Sequence, residues 1–569
     1  MLTDVIDPKK LKSLLLCWLA LLLISQASLC AGEEQQQPNT AEKPTSTSAE
    51  SSPAPSPVNT EGKEQQAPEA ESAFDLLELR VKGNTMLEDK VIEKTVYPFL
   101  GPKKTIDTVI SAQKALEEAY RNVGYQTVTV DIPEQDVENG VVTLQVVEGK
   151  VSRLRVTDSR YFSLGRIKSG VPEVAEGKVP NFNVMQKQVE ALESQSADRK
   201  ITPIMRAGDT PGTLEVDLKV KDKFPLHGRL ELNGRNTSST SDLRLVTSLH
   251  YDNLWQRFHS ASLMYQVSPE NNKEVDVWAG TYVMPVPETD AKLAFYAVSS
   301  SSDAQVANAN GVSVVGIGEI YGLRFIKPLP GFDSYSHSLT LGADYKSFGE
   351  NIRVIGNDDT ITPIDYLPFT VQYNSSVGGE SYQATFNAGV TFGVRGLVND
   401  RAEFENKRLK SQPDFAYLTL GNGLTVDLPW QMEFASRVNA QIADSPLISN
   451  EQFSLGGMQS VRGYFETQAL ADDGFTGSLE LRSPRLVPAS LDYINKLRAV
   501  VFVDGGYGST REAISSSPSS YSLASAGLGL RFQAWKYLEG VLDLGFPLLD
   551  LDQVKAGDPK FHFLVAAEF

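Results

Sequence analysis

The feature that most restricts how this chain can fold is a repeated alternation of apolar and polar residues across 226–569. From Tyr382 to Phe392 every second residue is apolar, and Gln, Thr, Asn and Gly fill the positions between them. A period of two puts one kind of side chain on each face of a β-strand. That apolar face would form the core of a soluble sandwich, whereas in a membrane barrel it would face lipid around a polar lumen.

Two properties of these strands favour the membrane barrel. They run for about ten residues, which is the length that a tilted membrane-crossing strand needs. Their polar face carries charges and glycines, as in 432–442 and 524–533, where a sandwich would need a dry packing surface. At roughly 20–22 residues per strand and connection, 225–569 would hold about 16 antiparallel strands, enough to enclose an aqueous channel.

Both ends of the chain predict an outer-membrane address. Lys9, Lys10 and Lys12 precede an apolar run from 14 to 24 and then small residues, which is typical of a cleavable secretory signal peptide over 1–31. Residues 32–73 are rich in Gln, Pro, Ser, Thr and Glu, and this composition predicts a disordered linker. The terminal aromatic residue Phe569 closes an alternating segment and resembles the signal that the barrel assembly machinery reads.

Several function classes are excluded by what the sequence lacks. The only cysteines, Cys17 and Cys30, lie in the predicted signal peptide, and the five histidines have no metal-binding spacing. There is no phosphate-binding GxxxxGK[ST] motif, and the net charge of −18 would repel nucleic acid. The sequence therefore predicts no enzyme, no cofactor, no metal, no nucleotide and no nucleic-acid partner.

Between the linker and the barrel, two segments read as small α+β domains. Residues 74–150 predict the order strand, helix, helix, strand, strand, with Gly-Tyr before the second strand and Glu148-Gly149 after the third. That pattern resembles a POTRA domain of the two-partner secretion type. A second, looser copy is expected over 151–224. The fold class expected for the whole chain is therefore α+β POTRA domains followed by an all-β transmembrane barrel.

One motif stands in a long connection between two barrel strands, at about 444–475. Val461, Arg462, Gly463 and Tyr464 follow the pair Gly456-Gly457. About forty residues later, the alternation points Phe502, Asp504 and Gly506 inward. An inward carboxylate could bind an inserted guanidinium through two hydrogen bonds. The alternative is two separately solvated charges, because loops normally lie on the surface.

This motif, the POTRA-like segments and the barrel together resemble two-partner secretion transporters of the haemolysin/haemagglutinin exporter type (ShlB, FhaC, HecB), in the BamA-like outer-membrane superfamily. The resemblance implies that the loop folds into the lumen, that Arg462 meets Asp504 and that Tyr464 wedges against the wall. It also implies an outer-membrane pore, in contact with lipid, that exports a large secreted adhesin or cytolysin. The alternatives are an insertase of the same superfamily and a passive porin with periplasmic domains.

The exported protein is expected to bind the first POTRA-like domain as an added strand, because a small sheet with an open edge can accept one. The residues expected at that edge are Gln126, Thr127, Val128, Val141, Thr143 and Gln145.

Overall fold

The computed structural model describes residues 73–569 except 138, 288, 302–305, 308–312, 315, 333, 350, 353–359, 362, 399, 489, 492 and 514–517. The predicted signal peptide and all but the last residue of the predicted linker lie outside the described residues. Among the described residues, every helix falls short of the length and apolarity that a membrane crossing requires.

The first α/β domain follows the predicted element order and adds a short strand pair, β1 with β3. Its elements are β1 (Phe74–Leu76), β2 (Glu78–Lys82), α1 (Asp89–Val96), β3 (Gly101–Lys104), α2 (Ile106–Val123), β4 (Thr129–Asp131) and β5 (Val141–Val147). The main sheet has the order β2-β5-β4. Helix α2 buries Val109, Ala112, Leu116 and Tyr120 against it, a stripe with helical spacing. The helix ends at Gly124, whose φ of 107° suits a residue without Cβ.

The second α/β domain repeats this topology. Its elements are β6 (Lys150–Thr157), α3 (Leu164–Gly170), α4 (Phe182–Glu193), β7 (Arg199–Ala207) and β8 (Thr213–Asp222). Strand β8 is central, parallel to β6 and antiparallel to β7, just as β5 is parallel to β2 and antiparallel to β4. The side chain of Asn181 caps α4 by accepting hydrogen bonds from the backbone N–H groups of Asn183 and Val184.

The rest of the chain forms antiparallel strands with short helical connections. The strands are β9 (Leu226–Asn233), β10 (Arg244–Leu254), β11 (His259–Val267), β12 (Asp276–Pro285), β13 (Lys292–Ser300), β14 (Val306–Ala307), β15 (Ser313–Val314), β16 (Gly318–Phe332), β17 (Tyr335–Phe348), β18 (Asn351–Ile352), β19 (Thr360–Ile361), β20 (Ile364–Tyr366), β21 (Phe369–Gly378), β22 (Tyr382–Phe392), β23 (Ala416–Asp427), β24 (Glu433–Ala443), β25 (Phe453–Leu455), β26 (Ala469–Ala471), β27 (Asp473–Arg482), β28 (Ile494–Ser509), β29 (Ser520–Ala534), β30 (Leu538–Pro547) and β31 (Lys560–Glu568). Helix α5 (Arg401–Lys407) lies between β22 and β23.

These strands close into the predicted barrel. Seventeen strand segments form one closed sheet, and β20 and β21 both pair with β17 as two parts of one strand, so the barrel has 16 strands. Pairing of β31 with β9 closes the sheet, which leaves no unpaired edge toward lipid.

The two faces of the barrel wall differ as the alternation predicts. Large apolar side chains such as Leu230, Val503 and Leu528 are exposed on the outside, whereas Asp344, Asp504 and other charged residues are buried on the inside. This arrangement is the reverse of a soluble sandwich and matches a wall that faces lipid. The second α/β domain joins the barrel at the start of β9, and successive strands alternate in direction, so the connection between β24 and β27 lies at the end of the barrel opposite that domain.

Candidate functional site

The connection between β24 and β27 turns back into the barrel, and we call residues 444–472 the lumen loop. It ends slightly earlier than the predicted 475, because β27 already begins at Asp473. Its strands β25 and β26 pair with each other. Val461, Arg462 and Tyr464 are each at most 2% exposed. The motif is therefore buried inside the lumen, which excludes the alternative of a separately solvated Arg462.

Glycines let the loop approach the wall closely. Gly456, Gly457 and Gly463 have φ values of 98°, 100° and 93°, which residues with a Cβ seldom adopt. A Cβ on Gly545 of β30 would lie 2.6 Å from the backbone nitrogen of Gly463. The backbone N–H of Gly463 donates to Nε2 of the buried His562 at 2.9 Å. Glycine is thus needed both in the loop, at Gly463, and in the wall, at Gly545, where the two backbones meet.

All five N–H groups of the Arg462 guanidinium are hydrogen-bonded to the barrel wall. Nε and Nη2 donate to the two carboxylate oxygens of Asp504 at 2.7 and 2.8 Å. Nη1 donates to Glu480 at 2.6 Å and to Asp543 at 3.2 Å, and Nη2 also donates to the Ser478 hydroxyl at 3.0 Å. We call Arg462, Ser478, Glu480, Asp504 and Asp543 the tip cluster. A buried guanidinium with every donor used and carboxylates around it is firmly held.

Further wall residues surround this cation. The Phe502 ring lies under the guanidinium, with 3.5 Å from Cζ of Arg462 to the ring centroid, and a Cβ on Gly527 would lie 2.3 Å from Cζ of that ring. Arg531 pairs with Asp543 at 2.6 Å and with Glu480 at 3.1 Å. Carboxylates and arginines therefore alternate across the wall, and each buried carboxylate has a cationic partner.

The other predicted residues of the motif also contact the wall. The Tyr464 hydroxyl donates to the carbonyl oxygens of Leu549 at 2.8 Å and Ala524 at 3.1 Å. A Cβ on Gly506 would lie 3.0 Å from a Val461 methyl group. The predicted wall position Gly506 thus leaves room for the loop, and Tyr464 fills the space against β29 and the segment after β30.

Sequence reasoning missed Ser478, Glu480, Asp543, Arg531 and His562. Each lies at an inward position of an alternating strand, which was the available signal. Their proximity to Arg462 depends on the pairing of β27, β28, β29, β30 and β31, and a single sequence does not reveal where a loop tip comes to rest among them. The arrangement holds a loop in place by charge and hydrogen bonding.

In the first α/β domain the structure corrects the prediction of the sheet edge at which the exported protein would bind. Strand β5, which carries Val141, Thr143 and Gln145, is the central strand, with β2 on one side and β4 on the other. The part of β5 that extends past β4 also has no open edge on that side. The Gln135 side chain donates to the Thr143 carbonyl at 2.9 Å and accepts from the Thr143 N–H at 2.7 Å. The prediction that Val141–Val147 offers an open edge is therefore wrong.

The predicted residues before β4 do not form a strand edge either. Gln126 and Thr127 lie in a turn, and Val128 is 1% exposed, within the core. The outer edge of β4 is capped by α2, because Val130 donates its N–H to Glu117 at 3.0 Å and its carbonyl accepts from Gln113 at 2.5 Å. Edge positions could not be assigned because the order of strands in this sheet was unknown from sequence.

The last residue, Phe569, takes part in barrel closure. Its backbone N–H and carbonyl each bond to Gly228 of β9 at 3.0 Å. The ring covers Gly228 and is 70% exposed on the outer surface. The final aromatic residue is therefore accessible from the lipid side, as a recognised end signal would need to be.

Residues 212–532, more than half of the chain, match the family described as haemolysin secretion/activation protein ShlB/FhaC/HecB, and residues 74–149 match the ShlB-type POTRA domain. The chain is 24% identical over 535 residues to the outer membrane transporter CdiB of Escherichia coli, covering 90% of this chain and 85% of that protein. It is 22% identical over 495 residues to CdiB of Dickeya dadantii (strain 3937), covering 84% and 83%.

Solved structures show the same fold. CdiB from Escherichia coli superposes with a TM-score of 0.60 at 20% identity, covering 89% of this chain and 93% of that chain. BamA from Haemophilus ducreyi lacking POTRA domains 1–3 gives 0.53 at 14% identity, covering 87% and 100%.

Proposed function

Because this chain belongs to the haemolysin secretion/activation protein family ShlB/FhaC/HecB, we propose that it is the outer-membrane transporter of a two-partner secretion pair and carries one unfolded exoprotein to the cell surface. The observation that carries this proposal is a lumen loop held by a fully bonded Arg462 inside a closed 16-strand barrel. A loop fixed in this way leaves the pore under conformational control, which a steadily conducting porin does not need.

The exported partner is a large secreted adhesin or cytolysin. Its unfolded segment first meets the α/β domains in the periplasm, of which residues 151–224 form a second POTRA domain. The repeated topology of β6, β7 and β8 supports this assignment. The apolar outer belt contacts outer-membrane lipid, and Phe569 is the end signal read by the barrel assembly machinery. The chain acts by holding and guiding protein.

The exported protein first contacts the outer edge of β2. Within the described residues, β2 pairs only with β5, so its other edge has no strand neighbour, whereas β5 is fully paired and β4 is capped. A photo-crosslinking residue in place of Arg80 should capture the exoprotein in the periplasm. The same residue in place of Thr143 is the matched control, and capture at 143 but not at 80 would contradict this assignment.

Deletion of the gene tests the proposed function. We expect the exoprotein encoded with this chain to disappear from the cell surface and to accumulate in the periplasm. The level of unrelated outer-membrane barrels should stay unchanged. A general loss of barrels would favour the insertase alternative, and unchanged surface exoprotein would favour the porin.

A further inference from the structure

The joint between the second α/β domain and the barrel brings together side chains that the sequence scatters. His227 of β9 lies directly opposite His250 of β10 in the strand register, and their ring centroids are 6.4 Å apart. His227 Nε2 lies 2.8 Å from Oδ2 of Asp198, which precedes β7. His250 Nε2 lies 3.0 Å from Oδ1 of Asp252. Two imidazoles and two carboxylates thus meet where the two parts of the chain join.

The donor atoms converge on one place. One oxygen each of Asp198 and Asp252 and one nitrogen of His227 all lie within 4.8 Å of one another. A tetrahedral ion with ligand bonds of about 2.0–2.2 Å needs donors roughly 3.4 Å apart, so the widest of these separations must close by less than about 1.5 Å. His250 lies beside this group of three, with its Nε2 3.0 Å from Asp252 Oδ1, and would have to move toward the other two donors to become the fourth ligand. Imidazole with carboxylate favours zinc-type ions over calcium or magnesium, which prefer oxygen alone.

The site has a fixed frame on the side of the α/β domain. The Arg199 guanidinium carbon lies 5.0 and 4.7 Å from the ring centroids of Phe162 and Phe258, which stack on each other with 6.5 Å between centroids. Phe258 belongs to the turn after β10, so this contact joins the barrel to the second α/β domain. Asp198, the neighbour of Arg199 in the chain, is therefore held in place and is only 4% exposed.

Ions can reach the site from solvent. The His227 and His250 side chains are 44% and 43% exposed and line an open cavity of roughly 450 Å³. Arg229 also lines this cavity, but it is paired with Glu539 and Glu568, both at 2.6 Å. Lys536 is a further cation at its rim.

We propose that Asp198, His227, His250 and Asp252 bind one zinc-type divalent metal ion, which ties the second α/β domain to the periplasmic mouth of the barrel. Asp198 comes from the α/β domain and the other three residues from the first two barrel strands. A bound ion would therefore restrict the angle between the two parts of the chain.

Zinc titration of the full chain in detergent, without a histidine tag, tests the proposal by calorimetry. We expect one Zn²⁺ per chain and at least tenfold weaker binding in the double variant His227→Gln/His250→Gln. His337→Gln, which changes a half-buried histidine elsewhere in the barrel, is the matched control and should bind like the parent. Absence of saturable binding in the parent, or equal binding in the double variant, would overturn the proposal.

A second variant tests whether the ion bridges the joint. Asp198→Asn lies outside the barrel strands, and we expect it to weaken Zn²⁺ binding at least tenfold while the barrel keeps its compact gel mobility. Co²⁺ as a spectroscopic probe should give the visible absorption of a four-coordinate ion in the parent only. Unchanged affinity in Asp198→Asn would confine the ion to the barrel and refute the bridge.

Discussion

The lumen loop is held at two places that are built in opposite ways. At the tip, one cation from the loop enters a group of three wall carboxylates, Asp504, Glu480 and Asp543. At the base, the loop itself supplies the carboxylates, Asp472 and Glu451, and both the loop and the surrounding elements supply the donors. Both places are buried, but the tip depends on a single residue whereas the base divides its contacts among many.

The base is redundant because each of its two carboxylates accepts hydrogen bonds from several donors. Asp472 is fully buried and accepts from Arg408 at 2.5 and 2.7 Å and from the backbone N–H groups of Leu447 and Arg511 at 2.9 and 2.7 Å. Gln452 donates to it at 3.1 Å. Glu451 accepts from Lys346, Tyr366 and Tyr417 at 2.5, 2.6 and 2.7 Å. The loss of one donor leaves the others, so we infer that the base is a permanent anchor and the tip is the part that can be released.

The largest effect should come from Arg462→Ala. It removes the only loop cation of the tip cluster and leaves buried carboxylates without that partner, a change that costs about 3–5 kcal/mol in comparable buried pairs. We expect export to fall at least tenfold while the barrel stays assembled, measured as surface exoprotein against the heat-modifiable gel mobility of the barrel. Arg395→Ala removes an arginine from an exposed pair with Asp414 and should export normally. Equal export by Arg462→Ala and the parent would show that export does not depend on the tip, and so would contradict the proposed functional difference between tip and base.

A smaller effect is expected from Arg408→Ala at the base. The change removes the arginine that pairs with the fully buried Asp472, but two backbone N–H groups and Gln452 still hydrogen-bond that carboxylate, so the cost should fall below the roughly 3–5 kcal/mol of an unrelieved broken pair. We expect a lower temperature for loss of compact gel mobility and only a modest loss of export. An export defect as large as that of Arg462→Ala would show that the base is not redundant.

The smallest effect is expected from Tyr464→Phe. The ring still fills its place against the wall, and only the hydroxyl contacts with Leu549 and Ala524 are lost, a cost of about 1 kcal/mol. Export should stay close to that of the parent, with a small decrease in the temperature at which the barrel unfolds. A severe export defect would mean that the hydroxyl, and not the charge of Arg462, fixes the tip.

The barrel could be predicted from sequence because it rests on alternation, whereas the pairing of Arg462 with Asp504 was expected only from the family resemblance. The period of two identified the strands, and its parity turned Phe502 and Asp504 inward. The rest of the tip cluster could not be predicted, since Glu480 and Asp543 meet Arg462 only after distant strands close into one sheet. The base was also missed, because Arg408 and Asp472 are far apart in sequence and stand in no recognisable motif.

The prediction of the edge that binds the exported protein was wrong for a related reason. The composition of Val141–Val147 identifies a strand, but not its place in the sheet. Parallel pairing with β2 makes β5 central, and the side chains of Gln135, Gln113 and Glu117 occupy backbone groups that would otherwise be open. A strand's neighbours are set by long-range topology, which local pattern does not encode.

The central claim is that the loop tip rests against the β28 wall, and a disulfide trap tests it most directly. Residues 32–569 contain no cysteine, so Val461→Cys with Gly506→Cys would place the only cysteine pair in that range at a position where a Cβ on residue 506 lies 3.0 Å from a Cγ atom of Val461, which suits a disulfide. The account predicts efficient crosslinking of the assembled protein under mild oxidation. Val461→Cys with Ala279→Cys, an inward position on β12, should not crosslink. Failure of the 461–506 pair to crosslink, or equal crosslinking of both pairs, would contradict the claim that the tip is held there.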